Sequence, residues 1–536
     1  MQPVLNIEDV RRVEEMLTEV GVSLSELMHR AGAAAAQEVL RLEAHDSVTI
    51  FAGLGNNGGD GWVAAEVLKK HGVAVRIVSP VTPDDIKGDL ARMVAKNAEA
   101  AEVEIVVAPP RPALEQLLFE SDVVVDAIFG TGFHGAPRAP FDIWIECINA
   151  AGVFTVSVDV PSGLSAQTGH IDGSCVMADM TVTMLALKPG LISDEGRDAC
   201  GSIVVASLAE EAEELAVEAD PVAWRADASD YMGVFPLQSS SVDKFTRGSV
   251  LVVGGSTRYP GAAMMAAMAA ARAGAGYVTL AVPADIAGIV QTHMLEIPVV
   301  ALPCEDDGTF SSEAIELIVD LAENHTAVLV GPGMRVTEDT MEAVTRLLEV
   351  DVPLVIDADG LNCLARLTVG RLDEHPDMLR RTSPLVLTPH RGELGRLVGL
   401  SETPPDSLTS MLDAARRIVW ADGGSEICII AKGPASACVG VEAAVLPKPG
   451  PAALATAGSG DVLGGIVVSL LAQTKVDNTD LPLLAALACE IHGLAGALAV
   501  EKYGSRGVMA RDVIDGIGLA ADALEESIAF AAAEQE

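Results

Sequence analysis

Twice along this chain, short apolar runs rich in β-branched residues alternate with helix-like segments. Between Ser47 and Leu187 the runs are Val48-Thr49-Ile50-Phe51-Ala52, Val75-Arg76-Ile77-Val78, Val123-Val124-Val125-Asp126 and Thr155-Val156-Ser157-Val158-Asp159. Strands apolar along nearly their whole length fit a parallel sheet covered on both faces. Ile7 to Leu17 and Leu24 to Leu42 read as two leading helices. The alternation lapses over Leu208 to Val242, where an acidic stretch precedes Pro221, Pro236 and Ser239-Ser240-Ser241. It resumes after Lys244 with Val250 to Val253, Ala327 to Val330, Leu354 to Ile356, Leu385 to Leu387 and Ile427 to Ile430. A chain of 536 residues exceeds what one core supports. The pattern predicts two α/β domains in series, 1–210 and 244–530, joined by a linker over 211–243.

Aromatic residues make up only 3% of the chain, so the cores must be built from Ala, Val, Leu and Ile. A net charge of −41 argues against a nucleic-acid partner, because phosphate binding needs clustered Lys and Arg. The apolar run Gly261 to Ala281 is broken by Arg272 and reads as a buried helix entering a strand, so no membrane partner is expected. Eight scattered cysteines without a C-x-x-C pair suit reduced, mostly buried thiols. The acidic start after Met1 shows no signal-peptide pattern. A cytoplasmic setting is the expectation.

In open parallel sheets, ligands gather beyond the carboxyl ends of the strands. Asp60 follows the first run and Asp126 and Asp159 close later ones, so their loops are predicted to converge. The loop Gly130-Thr131-Gly132-Phe133-His134-Gly135-Ala136 belongs to the same edge and offers bare amides to a phosphate-bearing ligand. Asn57, Asp126 and Ser162 supply hard oxygens suited to an alkali or alkaline-earth cation. Gly53, Gly55 and Gly58 satisfy G-x-G-x-x-G, but Ile77-Val78-Ser79-Pro80 lacks the acid that a dinucleotide fingerprint wants. An ordinary dehydrogenase site is not expected.

The second half contains Ala455-Thr456-Ala457-Gly458-Ser459-Gly460-Asp461, a glycine-rich turn entering an apolar helix. Free amides at such a helix start attract anions. A carboxylate there would be repelled by a bare phosphate, so Asp461 suits handling the proton of a hydroxyl beside a transferred group. Val253-Gly254-Gly255-Ser256, Tyr259-Pro260-Gly261-Ala262-Ala263, Gly331-Pro332-Gly333-Met334, Asp357-Ala358-Asp359-Gly360-Leu361-Asn362, Thr388-Pro389-His390-Arg391-Gly392-Glu393 and Lys432-Gly433-Pro434-Ala435-Ser436 follow strands or enter helices. Asp357 and Glu393 fit outer partners of Mg²⁺. No Walker A or protein-kinase motif occurs.

Gly53 to Gly61, Val125 to Gly132 and Asp159 to Leu164 together resemble the NAD(P)H-hydrate epimerase family, over most of Asp9 to Leu208. The resemblance implies a Rossmann-like α/β/α domain that interconverts the epimers of hydrated NADH and NADPH (NADHX, NADPHX) with potassium bound. Asn56, Asn57, Gly58, Gly59 and Asp60, with Gly130 to Ala136, would hold the nucleotide. Asn57, Asp126 and Ser162 would hold K⁺, and Asp159 would face the reacting ring. Met28-His29-Arg30 departs from the family pattern, which has Glu-Asn or similar after the Met.

The Gly458 to Asp461 turn resembles the ribokinase-like superfamily. With Val253 to Ser256, Asp357 to Asn362 and Thr388 to Glu393, it is similar to the NAD(P)H-hydrate dehydratase branch, over roughly Lys244 to Glu525. That implies a ribokinase-like α/β/α domain removing water from the hydrated ring by phosphorylation and loss of phosphate, with Mg²⁺ and ADP. Asp461 would take the hydroxyl proton while the amides of Gly458, Ser459 and Gly460 meet the phosphoryl group. Lys432, Gly433, Pro434, Ala435 and Ser436 would hold the donor. Ala263, Gly333 and His390 would line the hydrated-nucleotide pocket, and a buried, satisfied His390 is the open alternative. ADP as donor is expected from the fusion of the two domains alone, and a homo-oligomer is the expected assembly. The rival readings are a vitamin or sugar kinase with an accessory domain, and a non-catalytic scaffold.

Overall fold

The computed structural model describes residues 1–235, 247–422, 426–474 and 480–535 and divides into two compact units, Gln2–Val222 and Ala223–Glu536. In the first unit, β1 (Gln2–Val4) leads to helices Ile7–Glu19 and Leu24–Leu40. The strands β2 (Ser47–Ala52), β3 (Ala74–Ser79), β4 (Glu104–Val107), β5 (Val123–Ala127), β6 (Phe154–Val158), β7 (Met180–Met184) and β8 (Ser202–Ala206) follow. They form a parallel sheet in the order β4-β3-β2-β5-β6-β7-β8. The order reverses between β2 and β5, so the loops after these strands part and leave a crevice at their carboxyl ends. Apolar side chains pack on both faces. Helices Leu24–Leu40, Asn56–Lys70 and Asp89–Ala100 cover one face, and Arg111–Phe119 and Phe141–Ala151 cover the other.

The second unit contains β9 (Ala223–Arg225), β10 (Ser249–Val253), β11 (Tyr277–Pro283), β12 (Val299–Leu302), β13 (Ala327–Val330), β14 (Leu354–Ile356), β15 (Leu385–Leu387), β16 (Ile427–Ala431), β17 (Ala437–Val439) and β18 (Ala444–Leu446). Their order is β9-β18-β17-β16-β15-β14-β13-β10-β11-β12, parallel except where β17 pairs with β16 and β18. The reversal lies between β10 and β13. The Ala-rich run expected as a helix entering a strand is helix Pro260–Arg272 followed by β11. Leu481–Tyr503 is long and apolar enough to cross a membrane, but 72% of its apolar window is buried within the fold.

Of the stretch 211–243, expected as a linker, the described residues 211–235 are structured. Helix Ala212–Glu218 buries Ala212 and Ala216 in the first unit, and β9 pairs with β18 in the second. Tyr231 is fully buried, and its hydroxyl donates to Glu490 at 2.8 Å. The acidic residues of this stretch masked an alanine stripe that anchors it. Residues 236–243, and Lys244 at the expected start of the second domain, lie outside the described residues.

Small side chains let helices Pro260–Arg272 and Ser459–Gln473 approach closely. A Cβ on Gly465 would stand 2.2 Å from the Ala266 carbonyl oxygen. At an exposed helix position, Gly→Ala gains up to about 1 kcal/mol. Gly465→Ala must instead force the helices apart, and we expect a loss of about 1–3 kcal/mol, read as a lower melting temperature in calorimetry.

Candidate functional site

Each crevice is built where glycine lets a helix start sit against strand ends. In the first unit, Gly55 caps helix Asn56–Lys70, so Asn57 to Asp60 lie in its first two turns and not in an open loop. A Cβ on Gly58 would lie 2.1 Å from the Gly53 carbonyl oxygen, and one on Gly61 2.6 Å from the Ala127 Cβ. No other residue permits that approach. Met28, which precedes the departing His29-Arg30 in the leading helix, packs its side chain against Gly59.

Asp126, near the end of β5, is fully buried. Its carboxylate accepts from Ser157 Oγ (2.9 Å), the Ser162 amide (2.8 Å), Ser162 Oγ (2.6 Å) and the Ile128 amide (3.2 Å). Burial raises its pKa, and these bonds oppose the rise. Ser162 Oγ also accepts from the Phe129 amide at 2.8 Å. The Asn57 side chain is buried with neither amide oxygen nor nitrogen hydrogen-bonded.

Asp159 follows β6 with φ of +67°, and its amide donates to the Val182 carbonyl at 2.7 Å. Its Oδ1 accepts from Lys188 Nζ at 2.7 Å and its Oδ2 from the Thr131 amide at 3.2 Å. A Cβ on Gly130 would be 3.0 Å from Asp159 Oδ2 and 3.3 Å from Asn57 Cγ, so these three residues meet. Burial, then the charges of Asp159 and Glu14, push the Asp60 pKa well above its ordinary value. Glu14 is raised by burial and then by Asp159. In the loop Gly130 to Ala136, Gly132, His134, Gly135 and Ala136 are exposed, while Phe133 stacks on Phe129 with centroids 4.3 Å apart. Asn56 is also exposed.

In the second unit, Gly458 takes φ of +87° and caps helix Ser459–Gln473, placing Asp461 in its first turn. Burial foremost, then the charge of Asp357, raises the Asp461 pKa to about 7, with Lys432 opposing. Asp357, just beyond β14, is buried, and its Oδ1 accepts from Lys432 Nζ (2.8 Å) and Thr388 Oγ1 (2.6 Å). Lys432 Nζ lies 3.3 Å from where a Gly460 Cβ would be. The ammonium therefore stands beside Gly460 in the glycine-rich turn. Ser459 Oγ is 3.1 Å from Nε2 of His492, whose burial lowers its pKa to about 4 and keeps it neutral.

His390 is exposed, against the open alternative of a buried histidine. Its Nδ1 accepts from the Gly392 and Glu393 amides, and Glu393 Oε2 accepts from the His390 amide at 2.9 Å, which closes a capping box. The Lys432 amide bonds the Pro389 carbonyl at 2.8 Å, so the His390 and Lys432 loops run side by side. Gly433, Pro434, Ala435 and Ser436 continue that loop, with Ser436 Oγ donating to the Gly433 carbonyl at 2.9 Å. Gly333 has φ of +67°, and a Cβ there would stand 3.0 Å from the Ala262 Cβ. Ala263, expected on the pocket wall, is fully buried and packs toward Gly254 and Gly255. As the fourth residue of its helix, its side chain turns inward, and Ala262 keeps partial exposure beside Gly333.

A sequence model described as NAD(P)H-hydrate dehydratase matches residues 250–518, and one described as YjeF-related protein N-terminus matches residues 24–190. The bifunctional NAD(P)H-hydrate repair enzyme of Hyperthermus butylicus is 35% identical, covering 91% of this chain and 87% of its own. That of Moorella thermoacetica is 34% identical, covering 94% and 93%. This chain belongs to the bifunctional NAD(P)H-hydrate repair enzyme family. The kinase and scaffold readings fall with that membership. Among solved structures, the ADP/ATP-dependent NAD(P)H-hydrate dehydratase of Bacillus subtilis, co-crystallized with ATP/Mg²⁺, is 23% identical over 56% of this chain and 99% of that one, with a TM-score of 0.46.

Sequence reasoning missed Lys188, Glu14 and His492. Lys188 left one signal, a lone charge inside the apolar run Met184 to Leu191 directly after a strand. His492 likewise interrupts an apolar helix.

Because burial raises the Asp461 pKa from 3.8 to about 7, the folded chain holds it ionised at a cost. That cost is complete above pH 7 and gone below about pH 4, where folded and unfolded forms are both protonated. Asp461→Asn should therefore stabilise the second unit at pH 8 by up to about 4 kcal/mol. Denaturation at pH 8 and pH 4 should show the gain shrinking on acidification.

Proposed function

We propose that the first crevice epimerises hydrated NADH and NADPH and that the second dehydrates one epimer with ADP as phosphoryl donor. The observation that carries this is a pair of aspartates, Asp159 and Asp461, each at a strand-end crevice, Asp159 hydrogen-bonded by the Thr131 amide and Asp461 in the first turn of helix Ser459–Gln473. In the first crevice the Asp159 carboxylate takes the proton of the ring hydroxyl, the ring opens, and it recloses on its other face. The helix start at Asn56 to Asp60 and the loop Gly130 to Ala136 bind the nucleotide through their amides.

Potassium fits the residues present. The Asn57 amide oxygen is buried without a partner, and Gly130 beside it follows Phe129, which is hydrogen-bonded to Ser162, itself bonded to Asp126. Asn57, Asp126 and Ser162 would hold the ion, which supplies positive charge near the bound phosphates.

In the second crevice Asp461 takes the hydroxyl proton of the hydrated ring. A carboxyl group with a pKa of about 7 is suited to accept a proton near neutrality. The amides of Gly458 to Gly460 and the Lys432 ammonium offset charge on the moving phosphoryl group. Lys432 to Ser436 hold the donor, and Asp357 and Glu393 would be outer partners of a Mg²⁺ ion, which would supply positive charge against the donor phosphates. ADP is left as AMP; the ring C–O bond then breaks, phosphate leaving with the hydroxyl oxygen and the bonding pair, and a proton lost from the adjacent ring carbon to water forms the C=C bond of NADH or NADPH. Gly333 and His390 border the hydrated nucleotide. The same reading takes the chain as a cytoplasmic homo-oligomer acting on small molecules alone.

Two substitutions separate the activities. Asp159→Asn should lower epimerisation at least 100-fold and spare dehydration of the directly used epimer. Asp461→Asn should abolish dehydration and leave epimerisation within about twofold. Chromatographic measurement of both epimers and of reduced nucleotide checks each. Epimerisation surviving Asp159→Asn, or dehydration surviving Asp461→Asn, would overturn the assignment.

A further inference from the structure

Lys188 is a fully buried charged group that the proposed chemistry leaves unused. It follows β7 after a turn at Leu185, whose φ is +67°, and its side chain is 0% exposed. An ammonium withdrawn from water is tolerated only when its protons find acceptors. Lys188 Nζ has three: Asp159 Oδ1 at 2.7 Å, Thr183 Oγ1 at 2.7 Å and the Met184 carbonyl at 2.8 Å. An ammonium has three protons, so none remains for a ligand. Whatever Lys188 does for the reaction passes through Asp159.

The two oxygens of Asp159 differ accordingly. Oδ1 is anchored to the ammonium deep in the fold, and Oδ2 faces the Gly130 gap with the Thr131 amide beside it. The other charged groups whose fields reach Asp159 are carboxyl groups, Asp60 from helix Asn56–Lys70 and Glu14 from helix Ile7–Glu19. Lys188 is the cation in contact with the set.

We propose that Lys188 is a positioning residue for epimerisation, holding Asp159 by Oδ1 so that Oδ2 is the oxygen exchanging a proton with the ring hydroxyl. This rests on the reading of the first crevice as the epimerase site. In the step, Oδ2 takes the hydroxyl proton, the C–O bond becomes C=O, and the ring C–N bond breaks with its electron pair passing to nitrogen. The carbonyl carbon then rotates, nitrogen attacks its other face, and Oδ2 returns the proton. No electron is gained or lost overall. The ammonium keeps all three of its protons and fixes the carboxylate throughout.

The test uses the full chain and mixed epimers of hydrated NADH, with dehydration of the directly used epimer as an internal control of active-chain concentration and thermal unfolding as the control of folding. Lys188→Met, similar in length but uncharged, should lower the kcat of epimerisation at least 100-fold with KM changed less than threefold. Combining it with Asp159→Asn should add less than threefold to the loss caused by Asp159→Asn alone. In Lys188→Ala, ethylammonium should restore at least tenfold of the lost rate while tetramethylammonium restores none. Thr183→Val keeps the lysine and removes one acceptor, so it tests the idea if Lys188→Met fails to fold. It should lower kcat about tenfold at unchanged KM. Unchanged kcat in Lys188→Met or Thr183→Val, or a fully additive double variant, overturns the proposal. An unaltered chain that never epimerises overturns the underlying reading instead.

Discussion

Lys188 and Lys432 each exchange water for an aspartate at the carboxyl end of a parallel strand, with Nζ to Oδ1 distances of 2.7 Å and 2.8 Å. Such a pair is costly to bury and is held only where further acceptors complete it. Lys188 has Thr183 and Met184, while Asp357 gains Thr388 as a second donor. The surrounding architecture follows from that need. Glycine-lined helix starts close over the strand ends and keep water away, so these charges act through one another and not through solvent.

The two crevices use the same materials to opposite electrostatic effect. Asp159 has an ammonium directly on one oxygen and a backbone amide on the other. Asp461 has Lys432 farther off, engaged by Asp357, and burial dominates its pKa. One carboxylate is tied down beside a cation, and the other sits near neutrality, ready to gain or lose a proton. A reversible epimerisation and a phosphoryl-coupled loss of water ask for these different settings.

Much of this was legible from residue pattern. Strands β2, β3, β5, β6, β10 and β13 to β16 were readable because a strand buried on both faces has few polar interruptions, as β5 and β16 show. β4 and β12 escaped because they are short and only partly buried. β17 and β18 are three residues each, too brief for a periodic signal. Asp60, Asp126 and Asp159 could be grouped because parallel strands bring their ends together. Lys188 and His492 could not, since nothing in an apolar run says which carboxylate or hydroxyl its one polar member meets.

The central claim is that both crevices act in one chain on one damaged nucleotide. The most direct measurement follows reduced-nicotinamide absorbance while the unaltered protein consumes a mixture of both epimers of hydrated NADH with K⁺, Mg²⁺ and ADP. The account predicts complete recovery of NADH with one AMP and one phosphate formed per molecule recovered. A plateau near half, or recovery without AMP, would contradict it.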